Sequence, residues 1–363
     1  MQQARAIVQV AQRQVELQKF DIPEINDEEG LLRIEHSGVC GSDWSQYKTG
    51  DFSGVVPGHE PVGIIEEIGS VAAKRWNVKK GDRVAVETML PCGFCLPCIN
   101  GRYNHCRAAG ANKINAYGYH DISIKPSLWG GHAEFMYLDP HTLVHKIDKD
   151  LPPEIAVMFN PLGAGVRWAS RIPQTQIGDT VVILGCGQRG LTSIIGAKES
   201  GAKKIIVTGL SCDAHKLEIA KAFGADHVID VQKEDVIKAV RNYTDGEMAD
   251  VVVEVTSGAT QPVVDSIDLA ARGGRIILAG AKYNKIPEFD SNKVMMKELS
   301  VIGALAVDYQ SYEAAIRIIE SKKYPLELMH THAFPLDQTD LALRVLGNEV
   351  DGEQGIHISI TPH

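Results

Sequence analysis

The sequence predicts an α/β protein in two parts, a β-rich part that opens the chain and a doubly wound parallel-sheet domain behind it. Three observations carry this. At 363 residues the chain exceeds what one ordinary hydrophobic core organises, so two domains are the default. Up to about residue 155 it reads as short strands and Gly/Pro turns, with alternation such as Leu31, Arg33 and Glu35 against Leu32 and Ile34. From about residue 175 the texture changes to unbroken β-branched runs separated by helical stretches, the βαβ rhythm of a parallel sheet covered on both faces.

Within the second part, Thr180–Leu184 reads as a strand buried on both sides, followed by a helix from Leu191 to Ser200 that stops at Gly201. A strand over Lys204–Val207 and a helix over Lys216–Phe223, ended by Gly224, repeat the unit. Val251–Val255, Arg275–Ala279 and Ser300–Leu305 complete the expected parallel strands, with an amphipathic segment over Pro262–Ala271. A helix over Tyr312–Glu320 leads a tail expected to return to the first part. The division is therefore 1–160 with 307–363, and 161–306.

Hydrophobic content of 44% and charged content of 23% are those of a soluble globular protein. A net charge of −9 gives no electrostatic footprint for nucleic acid or an anionic membrane. No apolar run approaches the roughly 20 residues a spanning helix needs, and the first 20 residues lack a signal peptide's apolar block. The expectation is a cytoplasmic protein. Its seven cysteines are then unlike a disulfide set, since the cytosol keeps thiols reduced, and four of them lie at metal spacing.

Gly185, Gly187 and Gly190 in GCGQRG form G-x-G-x-x-G directly after one expected strand and before a helix. The first glycine permits a tight turn, the second lets backbone approach a pyrophosphate, and the third lets helix and strand pack. Gln188 and Arg189 inside the turn, and Thr256 and Gly280 after later strands, join them as dinucleotide-binding candidates. NAD is ordinarily marked by an acid at the end of the second strand, but Gly209 stands there. Asp213 could reach a ribose, and His215 or Lys216 could meet a 2′-phosphate; alternatively all three simply open a helix. NAD and NADP both stay open, with a lean to NAD.

Cys92, Cys95, Cys98 and Cys106 give C-x-x-C-x-x-C-x7-C with Gly93, Pro97 and Gly101 as turn-formers. Four thiolates can close a tetrahedral zinc site without room for substrate, which makes this zinc structural; an iron–sulfur cluster is the alternative. Cys40 in GVCGSD and His59 in PGHE offer a thiolate and an imidazole, with Glu60 as a third donor. Three protein ligands and an open position are what a catalytic zinc requires.

GVCGSD, PGHEPVG, the Cys92–Cys106 lobe, GGHAEF at 130–135 and GCGQRG together resemble the zinc-containing medium-chain dehydrogenase/reductase family over the full length, nearer its polyol and threonine dehydrogenase branch. The resemblance implies a GroES-like catalytic domain plus a Rossmann domain, two zinc ions per chain, a nicotinamide cofactor, a small alcohol or carbonyl substrate, and a homodimer or homotetramer. By position it makes Cys40 and His59 ligands of the catalytic zinc, Glu60 a direct or outer carboxylate, Asp43 the acid that orients the histidine, and Ser42 the hydroxyl that carries the substrate proton. Two positions depart from the family. Its remaining ligand, usually Cys or Glu, falls on Asn160 in FNPLGAG, and a relay histidine is replaced by Ser45. His36, His132, His141 and His145 are not at matched positions and are treated as structural or surface residues. Trp44, Tyr47, Phe52 and Trp129 could line a cleft and are given no specificity role. The rival readings are a zinc-free quinone or enoyl reductase on the same two domains, and a non-catalytic dinucleotide-binding protein.

Overall fold

Unbroken β-branched runs become the centre of a sheet in the computed structural model, which describes residues 2–108 and 115–362. The chain forms two compact units, one of Met1–Asn160, Ile316–Lys322 and Leu326–His363, the other of Pro161–Ala315 and Lys323–Pro325. The second passage between units thus falls in and just after the helix Tyr309–Glu320 rather than at residue 307.

In the second unit six parallel strands lie in the spatial order His227–Asp230, Lys204–Gly209, Thr180–Leu184, Ala249–Glu254, Ala270–Leu278, Ser300–Gly303. Numbered along the chain this is 3-2-1-4-5-6, the order of a Rossmann sheet, whose switch point lies between its first and fourth strands. Thr180–Leu184 is buried at every residue. Val182, Ile206, Val252 and Ile276 form one layer of the core with Val240, Ile267 and Leu269 from the helices. The glycine turn and Thr256 follow the two strands that flank the switch point.

In the first unit a seven-stranded sheet runs His330–Pro335, His357–Thr361, Gly30–Gly38, Pro61–Ile68, Arg83–Val86, Val144–Lys146, with Phe135–Leu138 paired to Gly30–Gly38. A separate hairpin joins Gln3–Ala11 to Gln14–Asp21. Leu32, Ile34, Ile65, Val84, Val86, Leu128 and Met136 make the main core. Trp129 belongs to that core and Tyr47 to a second cluster with Leu336, Leu343 and Ile358, so both are packing residues. Among the described residues no helix is long and apolar enough to cross a membrane.

Four elements depart from the sequence expectation. The helix Gly41–Thr49 lies where strands and turns were expected; its buried residues are Asp43, Gln46 and Tyr47, so it shows no apolar helical repeat. The helix after the glycine turn begins at Gln188, three residues before Leu191. The strand His227–Asp230 and the helix Val236–Tyr243 were not expected; the strand is four residues long and pairs with one neighbour only, too short for a pattern.

The helices Phe159–Val166 and Gln188–Glu199 meet backbone to backbone. A β-carbon on Gly165 would lie 2.3 Å from the carbonyl carbon of Thr192, and one on Gly196 would lie 2.5 Å from the oxygen of Gly165. Gly196→Leu should therefore destabilise the fold by at least the 1–3 kcal/mol, approximately, of an overpacked core, read as a lower melting temperature; an unchanged one would mean the helices have room to separate.

Candidate active site and metal centres

The GVCGSD segment ends the strand Gly30–Gly38 and opens the helix Gly41–Thr49, with Cys40 as its N-cap. Asp43 sits in the first turn, where a carboxylate can satisfy an orphan N–H. Its Oδ2 accepts the Cys40 N–H at 2.8 Å, and its Oδ1 lies 3.2 Å from His59 Nδ1. One buried carboxylate, 2% exposed, thus ties the cysteine's backbone to the histidine's ring. Burial alone would raise the Asp43 pKa, but the His59 imidazole beside it holds it below the usual carboxylate range. Burial likewise opposes charge on His59, and Asp43 outweighs it, raising that pKa well above the ordinary value.

With Nδ1 engaged, His59 Nε2 points to Ser42 Oγ at 3.3 Å and to Glu60 Oε1 at 3.9 Å. The Cys40, His59 and Glu60 ligand atoms all fall within 4.8 Å of one another. A tetrahedral zinc with bonds of about 2.0–2.3 Å sets its ligands roughly 3.3–3.8 Å apart, so this donor set fits zinc after small adjustments. The PGHE and GGH segments hold the histidine in place: Gly131 N–H donates to Gly58 O at 2.8 Å and His132 N–H to Pro57 O at 3.0 Å. Gly58 has φ +91°, and a β-carbon there would meet His132 Cδ2 at 2.5 Å. His132 is fully buried, and burial pushes it down to about 4; it packs behind the site as a neutral ring.

Asn160 is 3% exposed. Its amide nitrogen donates to Thr88 Oγ1 at 3.4 Å, and that hydroxyl donates to His59 O at 2.9 Å. The amide therefore braces the backbone of His59 through Thr88. Tyr119 was missed by sequence reasoning. Its hydroxyl is hydrogen-bonded to Ser42, its ring centroid lies 5.8 Å from that of His59, and Phe52 packs edge-on against it. It falls between motifs, in the segment after residues 109–114, and no spacing signals it. Trp44 stacks against Tyr47, and Ser45 is half-buried on the same helix.

The four lobe cysteines also converge within 4.8 Å. Cys95 and Cys98 sulfurs are 3.4 Å apart, Cys95 and Cys106 3.9 Å, and Cys92 and Cys98 4.0 Å, close to the roughly 3.8 Å expected around tetrahedral zinc with bonds near 2.3 Å. Backbone N–H groups of Arg107 and Cys98 pull Cys95 down to about 6, whereas burial, then the adjoining thiols, pushes Cys98 up to about 12. Four sulfurs this close cannot all ionise without a cation. The lobe's apolar residues Phe94, Leu96 and Ile99 are 76%, 62% and 68% exposed, so it has no apolar core of its own. It is moored by Tyr103, whose hydroxyl donates to the buried Glu87 at 2.6 Å, while Glu87 also meets His145 Nε2 at 2.8 Å. His145 is thus structural, and His141 sits at the surface against Asp139.

In the second unit Gly185 has φ +108°, and a β-carbon on Gly190 would lie 1.9 Å from Gly185 O. Gly187, the N-cap of the helix Gln188–Glu199, has open space where its β-carbon would be, as a cradle for phosphate oxygens at a helix N-terminus requires. Gln188 is largely buried and Arg189 lies over the Trp168 ring. Thr256 packs on Gly185, and a β-carbon on Gly280 would strike Thr256 O at 2.0 Å. A β-carbon on Gly209 would lie 2.7 Å from Cys186 Sγ; the thiol fills the space. Asp213 folds back to accept Leu210 N–H at 3.2 Å and pairs with Lys216 at 2.8 Å, while His215 stands in the first turn of the helix Ala214–Phe223.

A cysteine–histidine–glutamate cluster able to hold a metal in one unit and a glycine turn with the clearances of a phosphate cradle in the other are the parts a metal-dependent oxidoreductase requires. Residues 26–149 match the alcohol dehydrogenase GroES-like domain, and residues 189–321 match the zinc-binding dehydrogenase domain. A protein described as a probable alcohol dehydrogenase in Mycobacterium tuberculosis is 41% identical, covering 99% of this chain and 98% of its own length. The erythritol/L-threitol dehydrogenase of Mycolicibacterium smegmatis is 33% identical over 95% of this chain and 94% of that one. Among solved structures, an alcohol dehydrogenase of Thermotoga maritima superposes with a TM-score of 0.87 at 25% identity, covering 100% of both chains. The chain belongs to the zinc-containing medium-chain alcohol dehydrogenase family. It is an oxidoreductase that uses zinc and a nicotinamide dinucleotide to interconvert an alcohol and a carbonyl.

Cys98→Ser removes one of the four converging sulfurs of the lobe. The variant should lose one zinc equivalent and melt at a lower temperature, with KM for the alcohol little changed in the protein that stays folded. Unchanged melting on loss of that metal would rule out a structural role.

Proposed function

We propose that Cys40, His59 and Glu60 hold the catalytic zinc and that Cys92, Cys95, Cys98 and Cys106 hold a second, structural one. The convergence of the first three donors beside the Ser42 hydroxyl carries this reading. Metal chemistry then belongs to the unit of Met1–Asn160, Ile316–Lys322 and Leu326–His363, and dinucleotide binding to that of Pro161–Ala315 and Lys323–Pro325. Zinc at the first site would supply Lewis acidity, which makes an alcohol hydroxyl acidic enough to lose its proton near neutral pH. Hydride transfer is the nicotinamide's own chemistry. Asp43 fixes the His59 ring so that Nε2 faces the metal position, the orienting task of an outer carboxylate. Ser42 Oγ takes the substrate proton and passes its own on, with Tyr119 as its hydrogen-bonded neighbour. Asn160 keeps the His59 backbone in place, and its oxygen, or a water it holds, is the alternative to Glu60 as the third ligand, so that one zinc position stays open.

The substrate class that fits is a secondary alcohol or polyol, in keeping with the erythritol/L-threitol-specific relative. A homodimer or homotetramer is the assembly the family resemblance implies. Cys40→Ser should abolish turnover, by 10³-fold or more on the order of what loss of a Lewis acid costs, while the dinucleotide still binds in a fluorescence titration. Metal analysis of active protein should give two zinc per chain. A single zinc, seated in the lobe, would remove the proposed chemistry.

NAD is the favoured dinucleotide. Lys216 is paired with Asp213, and Lys233 with Asp230, which also accepts the Ser211 hydroxyl. A 2′-phosphate brought here would meet two carboxylates whose cations are already engaged. Steady-state kinetics should show kcat/KM at least about tenfold higher with NAD than with NADP, a difference of about 1.4 kcal/mol; equal values or a preference for NADP would reverse the assignment.

A further inference from the structure

A cluster of histidines lies behind Glu60, outside the set that the reaction requires. His330 and His357 are partners across two adjacent parallel strands, with their Nδ1 atoms 2.9 Å apart. Two ring nitrogens approach this closely when one carries a proton and the other presents a lone pair. Burial, followed by the neighbouring His36, pushes His330 down to about 4, so it is neutral at neutral pH and can supply that single proton. His36 itself packs edge-on to His330 at 6.3 Å and meets Ser359 Oγ at 2.8 Å.

His357 is fully buried. If His330 Nδ1–H donates to His357 Nδ1, the remaining proton of His357 sits on Nε2. That nitrogen faces Gly38: a β-carbon on Gly38 would lie 3.5 Å from His357 Nε2 and 2.7 Å from Glu60 Oε2. Both atoms therefore border the small space that a side chain at position 38 would fill. Glu60 is fully buried too, so the way its carboxylate turns is set by the groups packed around it.

We propose that His357, oriented by His330, is a positioning residue for Glu60, its Nε2–H addressing Oε2 across Gly38 and so turning Oε1 toward the metal position beside His59. This rests on the reading of Cys40, His59 and Glu60 as the zinc site. Outer donors of this kind typically govern metal retention by 10–100-fold, roughly.

The test follows release of zinc from the full-length holoenzyme to a chromophoric chelator, which resolves one equivalent per site. In His357→Phe one equivalent should leave about 10–100-fold faster than in the unaltered enzyme, while the other, from the lobe, keeps its rate. His357→Gln, whose amide N–H falls near the position of Nε2, should restore slow release, whereas His357→Asn, which mimics Nδ1, should not. His330→Phe removes only the orienting bond and should give a smaller acceleration; it also serves if His357→Phe does not fold. Release at the unaltered rate in His357→Phe or His330→Phe, or equal acceleration of both equivalents, overturns the proposal. If the unaltered enzyme holds zinc only in the lobe, the zinc-site reading itself fails and this proposal with it.

Discussion

The site depends on one carboxylate with two obligations. Asp43 closes the start of the helix Gly41–Thr49 through the Cys40 N–H and restrains the His59 ring through Nδ1. Cys40 and His59 lie nineteen residues apart on different elements, and without that shared partner each would be placed by its own strand or loop. The spacing of Cys40 and Asp43 is that of an N-cap and the third residue of a helix, so the same local rule that starts the helix also aims the Cys40 and His59 side chains. Burial makes the link strong, because a hydrogen bond to an interior carboxylate is poorly screened, and makes loss of His59 costly, because Asp43 left alone would be a bare buried charge.

The dinucleotide unit obeys a different constraint, that of backbone clearance. Gly185, Gly190 and Gly280 are each required by atoms that stand where a β-carbon would be, whereas Gly187 faces open space. The three crowded glycines fix the turn, and the uncrowded one leaves it accessible to a ligand. Division of labour among glycines in one short motif is what allows a helix N-terminus to lie against phosphates.

Much of this was legible in the sequence because the signals are local. The strand Thr180–Leu184, the glycine turn and the two converging groups of metal-ligating side chains follow from runs and spacings within about twenty residues, and the family model matches and relatives agree on the fold and the class of enzyme. What stayed hidden is non-local or lacks a pattern. The helix bearing Ser42 buries polar residues, so no apolar stripe announces it. Tyr119 reaches Ser42 from a segment with no motif. His330 and His357 are separated by 26 intervening residues and meet only because their strands pair. Trp129 and Tyr47, which could have lined a cleft, are core because the sheet and a terminal cluster close over them.

The packing of Cys186 against Gly209 bears on how cofactor choice can change. The usual acid at position 209 cannot simply be inserted, since its first side-chain carbon would press into the Cys186 sulfur. An acid there requires the Cys186 thiol to shift or shrink and the Leu217 side chain to give way slightly. Ribose recognition here is therefore tied to the packing beneath it, where the Cys186 sulfur and the Leu217 side chain both border the position.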